Sequence, residues 1–254
     1  MDTLRQSETL RYGDKRSQAD TGDLPRRDEV TRRYLSQLLP EVGGPLLGLQ
    51  YSDGLRLARA AGGDLDIVCV DGDGDLISHA RQQKEAERIS FIHADPLAYE
   101  PPWRFGLVLM SHHRLQYLLD ETRLQGCLER VSDWLNDQGV FVFDLRLPTP
   151  EQLHPIEEEV ELARYLDEGC HEVVEYATRY YDSISQCQTW HKRILRKGEE
   201  EHQQVRLRYT SQEQLESLLY EAGLEVQARF RDWELNPFRE GDSHIVYRVG
   251  KIHR

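Results

Sequence analysis

Between residues 46 and 145 short apolar runs alternate with stretches whose apolar positions fall at helical spacing. The runs are Leu46–Leu49, Ile67–Val70, Ile89–His93, Phe105–Met110 and Val140–Leu145. Between them, Leu55, Leu57, Ala58 and Ala61, then Leu76, Ile77 and Ala80, then Leu124, Cys127, Leu128, Val131 and Leu135 predict helices. Strands and helices in alternation predict βαβ units and a parallel sheet covered on both faces. Phe105–Met110 is apolar without a break, as a strand buried on both sides must be. Upstream, Val30, Tyr34, Leu35, Leu38 and Leu39 predict a helix opening near Pro25 with Asp23 as its cap. Pro40 and the Gly43–Gly44–Pro45 cluster stop it, and Gly62–Gly63 stop the helix after the first strand.

After Pro148 the rhythm changes. Residues 170–209 read as about three strands with no helix between them, an antiparallel insertion with an exposed turn at KGEEEH. A helix then starts at Thr210 or Ser211, with Glu213 near the capping-box position and Gly223 at its end. LEVQARF and HIVYRVG supply two last strands. The expected organisation is a polar flap over residues 1–24, a doubly covered α/β domain from 25–148 and 209–250, and an antiparallel cap over 149–208.

Composition narrows the partners. With 32 basic and 45 acidic side chains in 254 residues, the formal charge of −13 opposes phosphate backbones and anionic membranes. The acid-bearing N-terminus has no apolar core of a leader, and no apolar run reaches membrane-spanning length, so a cytoplasmic setting is expected. Cys69, Cys127, Cys170 and Cys187 are far apart with no CxxC pair, which points away from a disulfide framework or a zinc site. DGDGD at 71–75 starts like a calcium loop, but Leu76 and Gln82 stand where the Gly and the bidentate Glu belong. No metal site is read from the sequence.

Chemistry is expected where strands meet loops. GGPLLGLQYSDGLR (Gly43–Arg56) is a strand, a tight turn and a helix, the place where an α/β fold puts a cofactor loop. The next two strands end in acids, Asp71 and Asp95, and the fourth opens into SHHR (Ser111–Arg114). These pieces resemble the class I S-adenosylmethionine-dependent methyltransferases that act on small molecules. The matching phrases are Gly22–Pro25, Gly43–Arg56, Val68–Asp71, Phe91–Asp95, Leu107–Leu119, Gly139–Pro148 and Tyr209–Leu224, spread over about residues 20–250.

The resemblance implies a Rossmann-like, seven-stranded, mostly parallel sheet with helices on both faces and an antiparallel β insertion after strand five. It implies S-adenosylmethionine as cofactor and a small-molecule methyl acceptor under the cap. Cofactor contacts would fall to Tyr51, Gly54, Asp71 (ribose), Gly72, Asp95 (adenine amino group), Pro96 and Ser111. His112 and His113 would face the acceptor, with Gln116 or Tyr117 nearby, and Tyr12 would close the flap. The aromatic stretches Tyr176–Trp190 and Trp233–Phe238 would wall the acceptor cavity.

The glycine-rich first motif departs from the pattern. Gly48 stands where the family has an acid, Gln50 and Ser52 replace two of three glycines, and only Gly54 is kept. Asp53 is a candidate substitute for the missing acid. Two readings stay open: a methyltransferase, or a non-catalytic member that serves as a binding or partner subunit. Whether the chain acts alone, as a homodimer or as a heteromer stays open with them.

Overall fold

In a computed structural model of the chain, residues 24–61, 65–167 and 169–253 are described, with side chains from residue 29 onward apart from residues 51 and 52. The expected flap with Tyr12, the Asp23 cap and the Gly62–Gly63 stop lie outside the described residues, as do the side chains of Tyr51 and Ser52.

Apolar runs become the central strands, β1 (Leu46–Gly48), β2 (Ile67–Asp71), β3 (Ile89–His93), β4 (Phe105–Met110) and β5 (Leu135–Arg146). Helices α1 (Leu24–Leu38), α2 (Tyr51–Ala60), α3 (Gly74–Ala80) and α4 (Glu121–Trp134) alternate with them. After a capped turn α5 (Pro150–Leu153) come β6 (Ile156–Leu166), β7 (Glu172–Asp182), β8 (Cys187–Arg196) and β9 (Glu199–Arg208). Helix α6 (Gln212–Glu221) and strands β10 (Leu224–Phe230) and β11 (His244–Lys251) finish the chain.

The main sheet has seven strands in the order β10-β11-β5-β4-β1-β2-β3. Strands β1 to β5 pair in parallel, while β11 runs antiparallel to both β5 and β10. Alternation along β4 and β5 divides the core. Val108, Met110, Phe141 and Phe143 join α4 and α6 on one face, and Leu107, Leu109, Val140 and Val142 join α1 and α2 on the other. Phe141, Phe143 and Tyr247 stack in a row with centroids 4.6 and 5.0 Å apart.

Strand β5 starts earlier than the sequence predicts. Leu135 already pairs with Phe105, and the expected turn at Asn136 survives as an Asx bond from Gln138 N–H inside an irregular stretch of the strand. The second sheet, β6-β7-β8-β9, has four strands where about three are expected. Its extra member β6 is mostly exposed and rich in glutamate, so its sequence carries no apolar alternation. The predicted hairpin turn is shorter than KGEEEH: Lys197 and Gly198 alone, both at positive φ, join β8 to β9, as a two-residue turn of matching twist requires. Among the described residues no helix is long and apolar enough to cross a membrane.

Candidate functional site

The carboxyl ends of β1 to β4 open into a cleft with about 540 Å3 of open space, counting its mouth. Clefts of this kind at the carboxyl edge of parallel strands are where such folds hold ligands. One side is lined by Asp71, Gly72, Asp95, Pro96 and Leu97, and the opposite side by Leu49, Gln50, Arg114 and Tyr117, with Met110, Leu118 and Cys127 between them. Asp71, Gly72, Asp95 and Pro96 are thus brought together as the sequence suggests.

Both acids also organise their own loops. One oxygen of Asp71 accepts from Asp73 N–H at 2.9 Å, and one oxygen of Asp95 accepts from Leu97 N–H at 2.9 Å. A carboxylate has about four acceptor directions, so these bonds hold the acids without using them up. Asp73 caps α3 through Asp75 N–H and Leu76 N–H, which accounts for the second acid of DGDGD. The Cys127 thiol is pushed up to about 12 by burial, with the Asp95 charge adding to it, so no thiolate forms there at neutral pH.

The side of the cleft at β1 is built differently from a glycine loop. Helix α2 starts at Tyr51, directly after Gln50, whose carbonyl accepts from Asp53 N–H at 3.1 Å and Gly54 N–H at 3.3 Å. The stretch that resembles the cofactor loop is therefore wound into the first turn of the helix. Gly48 permits this: a Cβ there would lie 2.6 Å from Gly54 N and 2.9 Å from the Asp53 carbonyl carbon. Gly54 packs on β2, where a Cβ would come within 2.7 Å of Cys69 Cβ. It serves the helix–strand contact and does not line the cleft.

Gln50 is only 2% exposed. Its amide donates to Ser111 O at 2.9 Å, and its carbonyl accepts from Arg114 Nε at 2.5 Å, which bridges the cleft wall from β1 to the loop after β4. Ser111 faces away from the cleft. Its N–H donates to Asp53 at 3.2 Å and its hydroxyl donates to the same carboxylate. Asp53, fully buried, also faces Arg56 Nη1 at 3.5 Å. Burial raises its pKa to about 6, against the opposing pull of Arg56 and the Ser111 bonds. Asp53 is thus an internal strut and does not line the cleft.

The two histidines of SHHR go to different partners, and neither lines the cleft. Both adopt left-handed backbone, φ 60° and 56°, a region that histidine enters more readily than most side chains. His112 lies against Arg56, with Nε2 2.9 Å from Nη2. His113 turns to Asp144 at the end of β5: its N–H donates to Oδ1 at 3.3 Å, and its Nδ1 is 3.1 Å from Oδ2. His244, at the start of β11, brings Nε2 to 2.9 Å from the same Oδ2. Burial acts to raise the Asp144 carboxyl, but His113 and His244 outweigh it and hold it well below the usual range. Sequence spacing gives no signal for this cluster, because Asp144 and His244 are far from SHHR along the chain.

Residues of the expected aromatic walls make packing contacts in the structure. Trp233 lies 5.8 Å from Tyr34, Arg179 covers Trp190 at 5.1 Å, and Arg193 covers Tyr176 at 4.6 Å. None of them lines the cleft.

No protein-family model matches the chain, and no curated protein matches it by sequence. Solved structures do match. The CcbJ methyltransferase from Streptomyces caelestis is 17% identical with a TM-score of 0.76, covering 89% of this chain and 90% of its own. An S-adenosylmethionine-dependent methyltransferase from Clostridium acetobutylicum is 16% identical with a TM-score of 0.70, covering 92% of this chain and 97% of its own. An amino pentose methyltransferase of calicheamicin biosynthesis from Micromonospora echinaspora, solved with S-adenosylmethionine bound, is 15% identical with a TM-score of 0.67 and the same coverage of 92% and 97%. These likenesses run over nearly the whole chain, including the seven-stranded sheet and the appended β sheet. The chain has the class I S-adenosylmethionine-dependent methyltransferase fold.

Proposed function

We propose that the cleft binds S-adenosylmethionine and that the protein moves its methyl group to a small-molecule acceptor held beside the β6–β9 sheet. The observation that carries this reading is the pair of carboxylates, Asp71 and Asp95, at the ends of adjacent strands on one wall of the cleft. Acceptor-only groups suit the hydroxyls of a ribose and the amino group of an adenine, and Leu97, Met110 and Leu118 give the base an apolar bed. Several proteins of similar fold are described as methylating sugars or small molecules, which gives the acceptor class.

The residues present fit the nucleoside end of the cofactor. Toward the methionine end the glycine cradle is replaced by the Gln50–Arg114 bridge, where the Arg114 guanidinium suits a carboxylate. When bound, the cofactor supplies an electrophilic methyl on a sulfonium. The chain's part is to hold the acceptor in line at the edge of β4, and alignment alone supplies much of such a rate.

That same bridge favours a second reading: a non-catalytic chain that keeps the fold, has lost or weakened cofactor binding, and works as a binding or partner subunit. Titration calorimetry of the full chain with S-adenosylmethionine, its demethylated product and adenosine separates the two. Micromolar binding of the first two supports the enzyme. Absence of heat and of thermal shift at millimolar ligand overturns it for the isolated chain. Adenosine binding alone means that only the nucleoside half has been kept.

A further inference from the structure

The cluster of His113, Asp144 and His244 lies outside the cleft and has no part in the cofactor reading. Its three ligand atoms, His113 Nδ1, Asp144 Oδ2 and His244 Nε2, all lie within 4.8 Å of one another. We propose that these three side chains form a binding site for one divalent transition-metal ion, of the two-histidine, one-carboxylate type.

The surroundings of His244 fix where its proton lies. Its Nδ1 is 3.1 Å from Arg231 O. A carbonyl only accepts, so Nδ1 carries the hydrogen and Nε2 of the neutral ring is left with a lone pair. That lone pair faces a carboxylate oxygen at 2.9 Å, an arrangement that repels unless a cation sits between them. His113 brings a second ring nitrogen to that oxygen. Its Nδ1 is 3.1 Å from the same oxygen, yet lies out of line for a hydrogen bond and is buried without a hydrogen-bond partner. Either His244 carries an extra proton and His113 keeps its hydrogen on Nδ1, two donors crowded on one oxygen, or one metal ion replaces both.

Distances favour the metal. Imidazole nitrogens and carboxylate oxygens bind such ions at about 2.0–2.1 Å. Two ligands at right angles on an octahedral ion are then about 3.0 Å apart, close to the 2.9 and 3.1 Å found here. The outer contacts fit as well. Arg231 O fixes the His244 ring, and the second Asp144 oxygen accepts the His113 backbone N–H at 3.3 Å. The side chains of His113 and His244 are 21% and 26% exposed, so water can fill the remaining positions and the ion has a way in. Two consecutive left-handed residues, His112 and His113, give the turn that aims His113 at Asp144.

The test uses the full chain, stripped of metal by a chelator and titrated with Zn2+ by calorimetry and with Co2+ by visible absorption. One ion per chain is expected, with affinity falling at least about tenfold in His244→Gln and in His113→Gln, each checked for folding by circular dichroism. His191→Gln, an exposed histidine elsewhere, should bind as the parent does. Zn2+ should also raise the melting temperature of the parent and lose that effect in His244→Gln. Failure to bind at millimolar metal, or binding that survives both cluster variants unchanged, overturns the proposal and leaves the two rings as proton donors to Asp144. Neither result depends on S-adenosylmethionine.

Discussion

Asp53 is a buried residue whose charge the fold keeps at a cost. Burial lifts its pKa to about 6, whereas the unfolded chain loses that proton at about 3.9. Between about pH 4 and 6 the folded chain therefore binds more protons than the unfolded one, and stability falls as pH rises through that window. From pH 5 to pH 7 the loss on this group is about 1 kcal/mol. Asp53→Asn keeps an acceptor for Ser111 but has no proton to lose. Urea unfolding at both pH values should show the variant gaining about 1 kcal/mol on the parent between pH 5 and 7, whatever its offset at either one. Equal pH slopes would mean that Arg56 already neutralises Asp53 in full. On the cleft wall the relevant residue is Asp71, whose removal tests the nucleoside contact. A hydrogen bond to a charged group is worth about 1.5–3 kcal/mol, so Asp71→Ala should weaken S-adenosylmethionine binding at least about tenfold by calorimetry.

At the scale of elements, the start of α2 decides how much cofactor loop there is. Gly48 and Gln50 act together: the missing Cβ at one lets the helix turn come down onto β1, and the buried amide of the other ties that turn to Ser111. A Cβ at Gly48 would meet backbone at 2.6 Å, so Gly48→Ala should cost about 1–3 kcal/mol and lower the melting temperature by several degrees. Gly43→Ala, whose Cβ would touch nothing within 4 Å, should leave it unchanged and serves as the control. Restoring the family acid at residue 48 alone should therefore damage the fold and not repair the site. This start was not legible in the sequence, because contacts some sixty residues away hold it. Strands β2, β3 and β4 were legible, since their apolar runs end in acids or in a loop, and so were Asp71 and Asp95 at their tips. Strand β6 was missed for the opposite reason: exposed and glutamate-rich, it is an edge strand with no apolar face to betray it. His113, Asp144 and His244 were invisible as a group, since three strands must pair before they meet.

For the whole molecule, the arrangement of the appended sheet against the main one turns on a small buried contact. Gln116 sits in the loop after β4. Its amide donates to Arg146 O at 3.0 Å and, more weakly, to Arg208 O at 3.5 Å, while its carbonyl accepts from Arg146 N–H at 3.0 Å. One side chain thus pins the end of β5 and the end of β9 to the same loop that walls the cleft with Arg114 and Tyr117. The surrounding contacts are looser: Arg208 reaches Glu121 at 3.5 Å, and the Cys187 thiol donates to Leu119 O at 3.5 Å. Gln116→Ala leaves buried main-chain groups of Arg146 without this partner, at a cost of about 2–3 kcal/mol. More tellingly, it should free the β6–β9 sheet before the main sheet opens. Limited trypsin digestion of the variant should cut first at Arg193, Arg196 or Lys197, with residues 24–148 still protected. A lower melting temperature with an unchanged order of cuts would place the anchor elsewhere, on the Arg208–Glu121 pair. If the acceptor lies beside this sheet, loosening it should raise KM for the acceptor while leaving the nucleoside affinity near its parent value, since Asp71 and Asp95 stand on strands that Gln116 does not touch.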